Sequence, residues 1–321
     1  MIFAKQIEKV FRSTLYGRCD GDGSTFYFSH RDFEGLTATP YAFTSSAGNT
    51  LKGYFYCYEN PDESRLIVFD HGYGGGHTAY MKEIEMLCSA GYRVFAYDHT
   101  GCMESEGAST NGFGQSLCDL NDCLNALKAD ENINTADISV MGHSWGGFST
   151  LNICALHPDI THVVVLSGFA SVKKMVDQNF AGLLKMYRKH IYEVERASNP
   201  DFVGYDGVES LSKTDARVLL IYSDDDKLVN KEIHFDYLKK GLEVKENISF
   251  LLVEGKGHNP NYTKEALLKL NEFVAAKKTA YKKKALSTEE EKKAFIASFD
   301  WDKMTEKDEK VWAEIFDTLK K

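Results

Sequence analysis

Ile138-Ser139-Val140-Met141-Gly142-His143-Ser144-Trp145-Gly146-Gly147 is a short apolar, β-prone run that ends abruptly in Gly-x-Ser-x-Gly. A helix-compatible stretch follows, from Gly147 to His157. Strand, tight turn and helix around a serine are the sequence form of a nucleophile elbow. A nucleophilic serine must stand clear of the backbone, on a turn whose neighbours carry almost no side chain. Gly142 and Gly146 meet that need, because bulk at either position would collide with the flanking strand and helix. The turn also places Ser144 at a helix N-terminus, where free N–H groups favour developing negative charge. The pentapeptide alone is common, so its weight depends on whether the rest of the chain supplies partners.

The chain outward from this point alternates strands and helices. Leu66-Ile67-Val68-Phe69 is a continuous apolar run, as expected of a strand covered on both faces. His71-Gly72-Tyr73-Gly74-Gly75-Gly76 follows, then a helical segment from Tyr80 to Ala90 that Gly91 caps. Val94-Phe95-Ala96-Tyr97 is the next strand, and Gly114 to Asp130 the next helix. After Ile138–Met141 come Val163–Leu166, Val218–Tyr222 and Ile248–Val253, with helices over 231–240 and 261–277. Upstream, Tyr41–Ser45 and Leu51–Tyr58 read as a hairpin at a sheet edge, joined by Ala47-Gly48-Asn49. The spacing predicts an α/β fold: a mostly parallel eight-stranded sheet flanked by helices.

Three segments stand outside that rhythm. Residues 1–35 form an amphipathic lead-in and a turn-rich patch. There Asp20, Asp22 and Ser24 imitate a calcium loop but lack its closing acid, so a plain turn is expected. About fifty residues separate Leu166 from Val218, more than a helix and two loops need. Their helical pattern (Val172, Met175, Val176, Phe180, Leu183, Leu184, Tyr187) predicts a small helical cap over 168–212. The core is then 36–167 and 213–277. Residues 278–321 form a charged helical extension, with capping boxes expected at Ser287/Glu290 and Thr305/Asp308. Its stripe of Val311, Trp312, Ile315, Phe316 and Leu319 predicts helices docked on the chain's own surface, a homodimer contact being the alternative.

Composition narrows the function classes. The 43% hydrophobic and 26% charged content is that of an ordinary globular protein, and the net charge of −9 argues against nucleic acid or an anionic membrane as partner. Seven cysteines without a Cys-x-x-Cys pair predict reduced, mostly buried thiols and a cytoplasmic location, with no metal site. The N-terminus lacks the pattern of a signal peptide, and no apolar run approaches the roughly 20 residues that cross a bilayer, so stable membrane insertion is not expected.

A serine hydroxyl needs a base, and the base an orienting acid. On such a sheet the acid follows a later strand and the histidine comes last. Ser223-Asp224-Asp225-Asp226-Lys227-Leu228-Val229 follows the strand 218–222, and Gly255-Lys256-Gly257-His258 follows 248–253. Asp226 is favoured among the three aspartates, with Asp224 and Asp225 left to turn capping. His258 is the only histidine in a Gly-flanked loop after the last strand, whereas His71, His99 and His143 each fit a structural role holding a turn. The amides of Trp145 and Tyr73 are the expected oxyanion donors, Gly74 the second choice for the latter.

His71-Gly72-Tyr73-Gly74-Gly75, Tyr97-Asp98-His99-Thr100-Gly101 through Ser105-Glu106-Gly107, Gly142-His143-Ser144-Trp145-Gly146-Gly147, Asp226-Lys227-Leu228-Val229 and Gly257-His258, in that order, carry a resemblance. The chain resembles the α/β-hydrolases over about residues 40–277. Within them it is most similar to the lysophospholipase and monoglyceride-lipase-like branch, which also holds serine aminopeptidases. That resemblance implies a serine hydrolase without cofactor or metal, acting on a small carboxylic ester through Ser144, Asp226 and His258. Phe169, Phe180, Leu183 and Tyr187 would line an apolar substrate pocket under the cap. A peptidase on the same triad would use Asp177, Glu193 or Glu195 to hold a free amine. A non-catalytic ligand receptor on the same fold is the remaining alternative.

Overall fold

The structure, a computed structural model, describes residues 2–134 and 137–320. The first residue of the lead-in and the last of the C-terminal extension lie outside that range. Eight strands form one sheet: β1 (Thr37–Thr44), β2 (Thr50–Cys57), β3 (Asp62–Asp70), β4 (Tyr92–Tyr97), β5 (Asp137–His143), β6 (His162–Leu166), β7 (Arg217–Ser223) and β8 (Ile248–Val253). Their order is β1-β2-β4-β3-β5-β6-β7-β8. The β1–β2 and β2–β4 pairs are antiparallel, and every pair from β4–β3 to β7–β8 is parallel. The eight-stranded, mostly parallel sheet expected from the sequence is the one observed.

The strands read most easily are those buried on both faces, such as β6, where all five residues are buried. β1 starts four residues earlier than the apolar pattern suggests, at Thr37. Its Thr-Ala-Thr-Pro opening carries no hydrophobic signal, and Pro40 is tolerated because β1 lies on the sheet edge. Twelve α-helices flank the sheet among the described residues. They are α1 (Ile2–Leu15), α2 (Met81–Ser89), α3 (Gln115–Ala129), α4 (Trp145–Asn152), α5 (Val172–Asn179), α6 (Arg188–Ser198), α7 (Gly207–Ser212), α8 (Phe235–Leu242), α9 (Lys264–Lys282), α10 (Glu289–Ala297), α11 (Trp301–Met304) and α12 (Glu309–Leu319).

One sheet face is covered by α3, α4 and α8, and the core continues from there through Ile191 and Val194 of α6 to Phe11 of α1. The other is covered by α2 and α12. The C-terminal segment is therefore no appendage. Val311, Trp312, Ile315 and Leu319 are buried against Val164 of β6 and Leu219 and Ile221 of β7. Tyr92 donates to the Leu319 carbonyl at 3.2 Å, and Arg217 pairs with Asp317 at 2.7 Å. A buried pair between Lys307 and Glu83 fixes the approach to α12, and Asn261 donates to the same carboxylate at 3.0 Å. The apolar stripe that suggested a dimer contact is thus spent inside the chain. The caps are displaced from the expected sites by their actual geometry: Thr288 and Glu291 form the capping box of α10, and Asp308 is itself the N-cap of α12.

Among the described residues no helix is long and apolar enough to cross a membrane.

Candidate active site

Ser144 stands between β5 and α4 with φ 57° and ψ −110°. A non-glycine residue there is strained, typically by about 1–3 kcal/mol. Close packing holds it. Ser144 N–H donates to the Leu166 carbonyl of β6 at 2.9 Å, and its own carbonyl accepts from Phe148 at 3.0 Å. A Cβ on Gly146 would be driven into the Asp70 carbonyl at the end of β3, and one on Gly142 into Thr150 and the Gly146 carbonyl. Gly146→Ala is therefore expected to cost about 1–3 kcal/mol of stability, measured by urea denaturation, and to displace Ser144.

The loops after β7 and β8 converge on this serine. His258 Nδ1 lies 2.8 Å from Asp226 Oδ2, and His258 Nε2 lies 2.7 Å from Ser144 Oγ. A carboxylate only accepts, so Nδ1 carries the proton and Nε2 is free to accept from the serine hydroxyl. The other Asp226 oxygen accepts from Leu228 and Val229 amides at 2.8 and 3.0 Å. Burial opposes the charge of Asp226, yet the His258 N–H and these amides outweigh it and hold the carboxyl below its ordinary value.

The neighbouring aspartates do different work. Asp224 accepts from the Gly255 amide at 2.8 Å, and Asp225 from the Gly257 amide at 2.7 Å. Both staple the His258 loop to β7, and only Asp226 reaches the imidazole. His143 adds a further support. Its Nε2 donates to the His258 carbonyl at 2.7 Å, while Nδ1 accepts from Tyr80, whose hydroxyl also accepts from the Gly72 amide at 3.0 Å. Burial lowers the His143 pKa to about 3, so it stays neutral as this pattern requires.

The 71–76 loop lies beside the elbow. The Tyr73 and Trp145 rings are 5.6 Å apart, edge to face. Trp145 N–H opens α4, where helix amides lack internal partners. Behind them His99 lies fully buried between Asp70 (3.1 Å) and Asp119 (3.3 Å), its ring 4.7 Å from that of Trp145. Burial disfavours its charge, but the two carboxylates prevail and raise its pKa to about 10. His71 accepts from the His99 amide at 2.9 Å and is kept neutral by burial, its pKa down to about 3. Both histidines hold loops, as the sequence suggests.

The four expected pocket residues do not converge. Phe169 is stacked on Phe148 at 4.7 Å, deep in the core. Leu183 is 94% exposed. The helical pattern fails because α5 stops at Asn179 and Gly182–Tyr187 is a 3₁₀ helix. At three residues per turn, Leu184 and Tyr187 share a face and Leu183 turns away. Tyr187 is half-buried against the core. Phe180 does line a groove, of about 650 Å³, together with Leu184, Leu228 and the apolar side of α1. Phe11 of α1 packs edge to face on Phe180 at 5.9 Å, and the Thr14 carbonyl accepts from the Tyr73 hydroxyl at 3.0 Å. The sequence reading missed α1 as a wall of this groove. The signal was the apolar spacing of Ile7, Phe11 and Leu15, a helical face awaiting a partner.

The three carboxylates that could hold an amine are all engaged. Asp177 pairs with Lys173 at 2.7 Å and Arg188 at 3.5 Å, and Glu193 with Arg196 at 2.7 Å. Glu195 is fully buried, accepting from the Phe113 amide at 2.8 Å and from Tyr16 at 3.1 Å. Burial raises its pKa from 4.5 to about 7. Between those values the folded chain keeps a proton that the unfolded chain has released. Stability from this site is thus full below pH 4.5 and lost as pH rises through 7, by on the order of 3 kcal/mol. Glu195→Gln carries no charge at any pH. Its melting temperature relative to the parent is expected to rise between pH 5 and pH 8, a shift that thermal denaturation at the two values reads directly.

A family model described as serine aminopeptidase, S33, matches residues 61–250, more than half of the chain. The 2-hydroxy-6-oxononadienedioate/2-hydroxy-6-oxononatrienedioate hydrolase of Escherichia coli strain K12 is 32% identical over 125 residues, 38% of this chain and 41% of that protein. The match thus spans about two fifths of that relative's length. Among solved structures, an esterase of Pyrococcus furiosus superposes with TM-score 0.58 at 19% identity, over 76% of this chain and 90% of its own. The α/β hydrolase GrgF from Penicillium sp. sh18 superposes with TM-score 0.53 at 14% identity, over 78% and 100%. These two likenesses show the fold.

Proposed function

The chain belongs to the serine aminopeptidase S33 family of α/β-hydrolases, and on that premise we propose that it hydrolyses carboxylic esters bearing an apolar acyl group. Ser144 Oγ attacks the ester carbonyl carbon as His258 Nε2 takes its proton. The Asp226 carboxylate orients His258 and balances the imidazolium. The Trp145 and Tyr73 amides receive the oxyanion. Collapse expels the alcohol, which takes the proton back from His258 and leaves Ser144 acylated. Water, deprotonated by the same histidine, releases the acid.

The observation that carries the ester reading over the peptidase reading is the groove's lining. Phe180, Leu184, Leu228 and the α1 side chains offer hydrocarbon, and Asp177, Glu193 and Glu195 are paired or buried rather than free to hold an amine. Leu228 lies two residues from Asp226 and Thr14 contacts Tyr73, so the groove borders the Asp226 loop on one side and the segment that holds Tyr73 on the other. The test is a panel of p-nitrophenyl esters of increasing acyl length beside aminoacyl p-nitroanilides. Ester turnover that improves beyond acetate, with negligible anilide cleavage, is the expected result. Cleavage of the anilides alone would replace this reading with a peptidase, and saturable binding without turnover would replace it with a receptor.

A further inference from the structure

Cys19 and Cys102 form an isolated parallel bridge between the N-terminal segment and the loop after β4. Cys19 N–H donates to the Gly101 carbonyl at 2.9 Å, and the Cys19 carbonyl accepts from Met103 at 3.3 Å. Hydrogen bonding to both neighbours of Cys102 puts the two cysteines side by side, with their side chains on the same face of the bridge. Neighbouring strands lie about 4.7–4.9 Å apart, inside the Cα separation of about 4.4–6.8 Å that a disulfide accepts.

We infer that Cys19 and Cys102 are an oxidisable pair, Cys19 the attacking thiol and Cys102 the resolving one, which a hydroperoxide closes to a disulfide beside the 71–76 loop. The surroundings divide the roles. The adjacent Cys102 thiol favours the Cys19 thiolate, burial opposes the charge, and the Gly74 amide favours it. The result is a Cys19 thiol held below its ordinary pKa. The single proton of the Tyr73 hydroxyl is committed to the Thr14 carbonyl at 3.0 Å. Cys102 is pushed up by the neighbouring Cys19 thiol and by its full burial. Both thiols are buried, Cys19 the less completely of the two, and a cavity of about 400 Å³ lies next to them, lined by their chain neighbours Asp20 and Met103 and by Gly74 of the 71–76 loop. A thiol held below its ordinary pKa beside a resolving partner is the arrangement of redox-responsive cysteines.

The chemistry balances with a hydroperoxide as the sole co-reactant. The Cys19 thiolate attacks the peroxide oxygen, an S–O bond forms, the O–O bond breaks, and the leaving oxygen departs with a proton as water or alcohol. Cys102 then gives up its proton and attacks the Cys19 sulfur. The S–S bond forms, the S–O bond breaks, and the second oxygen leaves as water. Two thiols have lost two electrons and the peroxide has gained them.

The test treats the native full-length protein with hydrogen peroxide, blocks remaining thiols with N-ethylmaleimide, and maps peptides by mass spectrometry. The expected result is a linked peptide joining Cys19 and Cys102 and the loss of two titratable thiols. Dithiothreitol restores both, and Cys19→Ser abolishes the link with Cys102 left unmodified. Sulfinic or sulfonic acid at Cys19 without a link overturns the inference. So does a link between other cysteines, or sulfoxide at Met103 with both thiols free. The wild-type map decides the matter even where the serine variant folds poorly, and it does not depend on the function assigned to Ser144.

Discussion

Ser144→Ala is expected to lower ester turnover by about 10⁴-fold or more and to abolish labelling by a fluorophosphonate, with the melting temperature nearly unchanged. The size follows from the array the serine completes. In the proposed mechanism His258 and Asp226, held at 2.7 and 2.8 Å, act first on the serine proton, so removing the hydroxyl leaves no acyl-enzyme for their later steps to act on. The stability expectation follows from the backbone. Alanine keeps the φ of 57° and its strain. Ser144→Gly removes both the nucleophile and the strain, since glycine adopts this region freely. It is expected to be equally inactive yet more stable, by about 1–3 kcal/mol. Steady-state kinetics and urea denaturation of the two variants separate the effects. An alanine variant that still turns over esters would remove Ser144 from the mechanism. A glycine variant no more stable than the alanine one would show that the elbow stores no strain.

That elbow was legible because its constraints are local. The glycines at 142 and 146 are required by contacts within a few residues or with the next strand, and the apolar run before them is a strand buried on both faces. Asp226 and His258 were legible for a related reason: each follows directly on a parallel strand whose C-terminal end faces the same rim of the sheet. What failed was contact at a distance. A helical stripe says that a face is buried, not against what. The stripe of α1 belongs to a groove shared with Phe180 and Leu228, far along the chain. The pocket assignment failed on periodicity, since a 3₁₀ turn gives no distinct hydrophobic signature at the length of Gly182–Tyr187.

The C-terminal helix is the sharper case. Helix α9 reads as the last helix of the core, yet it buries only Ala266 and Phe273. The sheet face over β6 and β7 is closed instead by α12, with Trp312 at its centre, 1% exposed. Trp312→Ala is accordingly expected to destabilise the protein by about 3–5 kcal/mol, as a large aromatic lost from a close-packed core does. An appended surface helix would lose little, so the magnitude decides between the two pictures. The indole itself sharpens the test. Its buried Nε1–H finds no acceptor among the described residues, and an unsatisfied donor costs about 1–3 kcal/mol. Trp312→Phe removes that donor and keeps most of the bulk, so it is expected to fall near the parent in stability, far above the alanine variant. Urea denaturation of the pair gives both numbers. A small loss in both variants would return α12 to the status of an appendage. Equal large losses would show that the indole N–H is satisfied and that its hydrogen bond, rather than its volume, anchors the helix to the sheet.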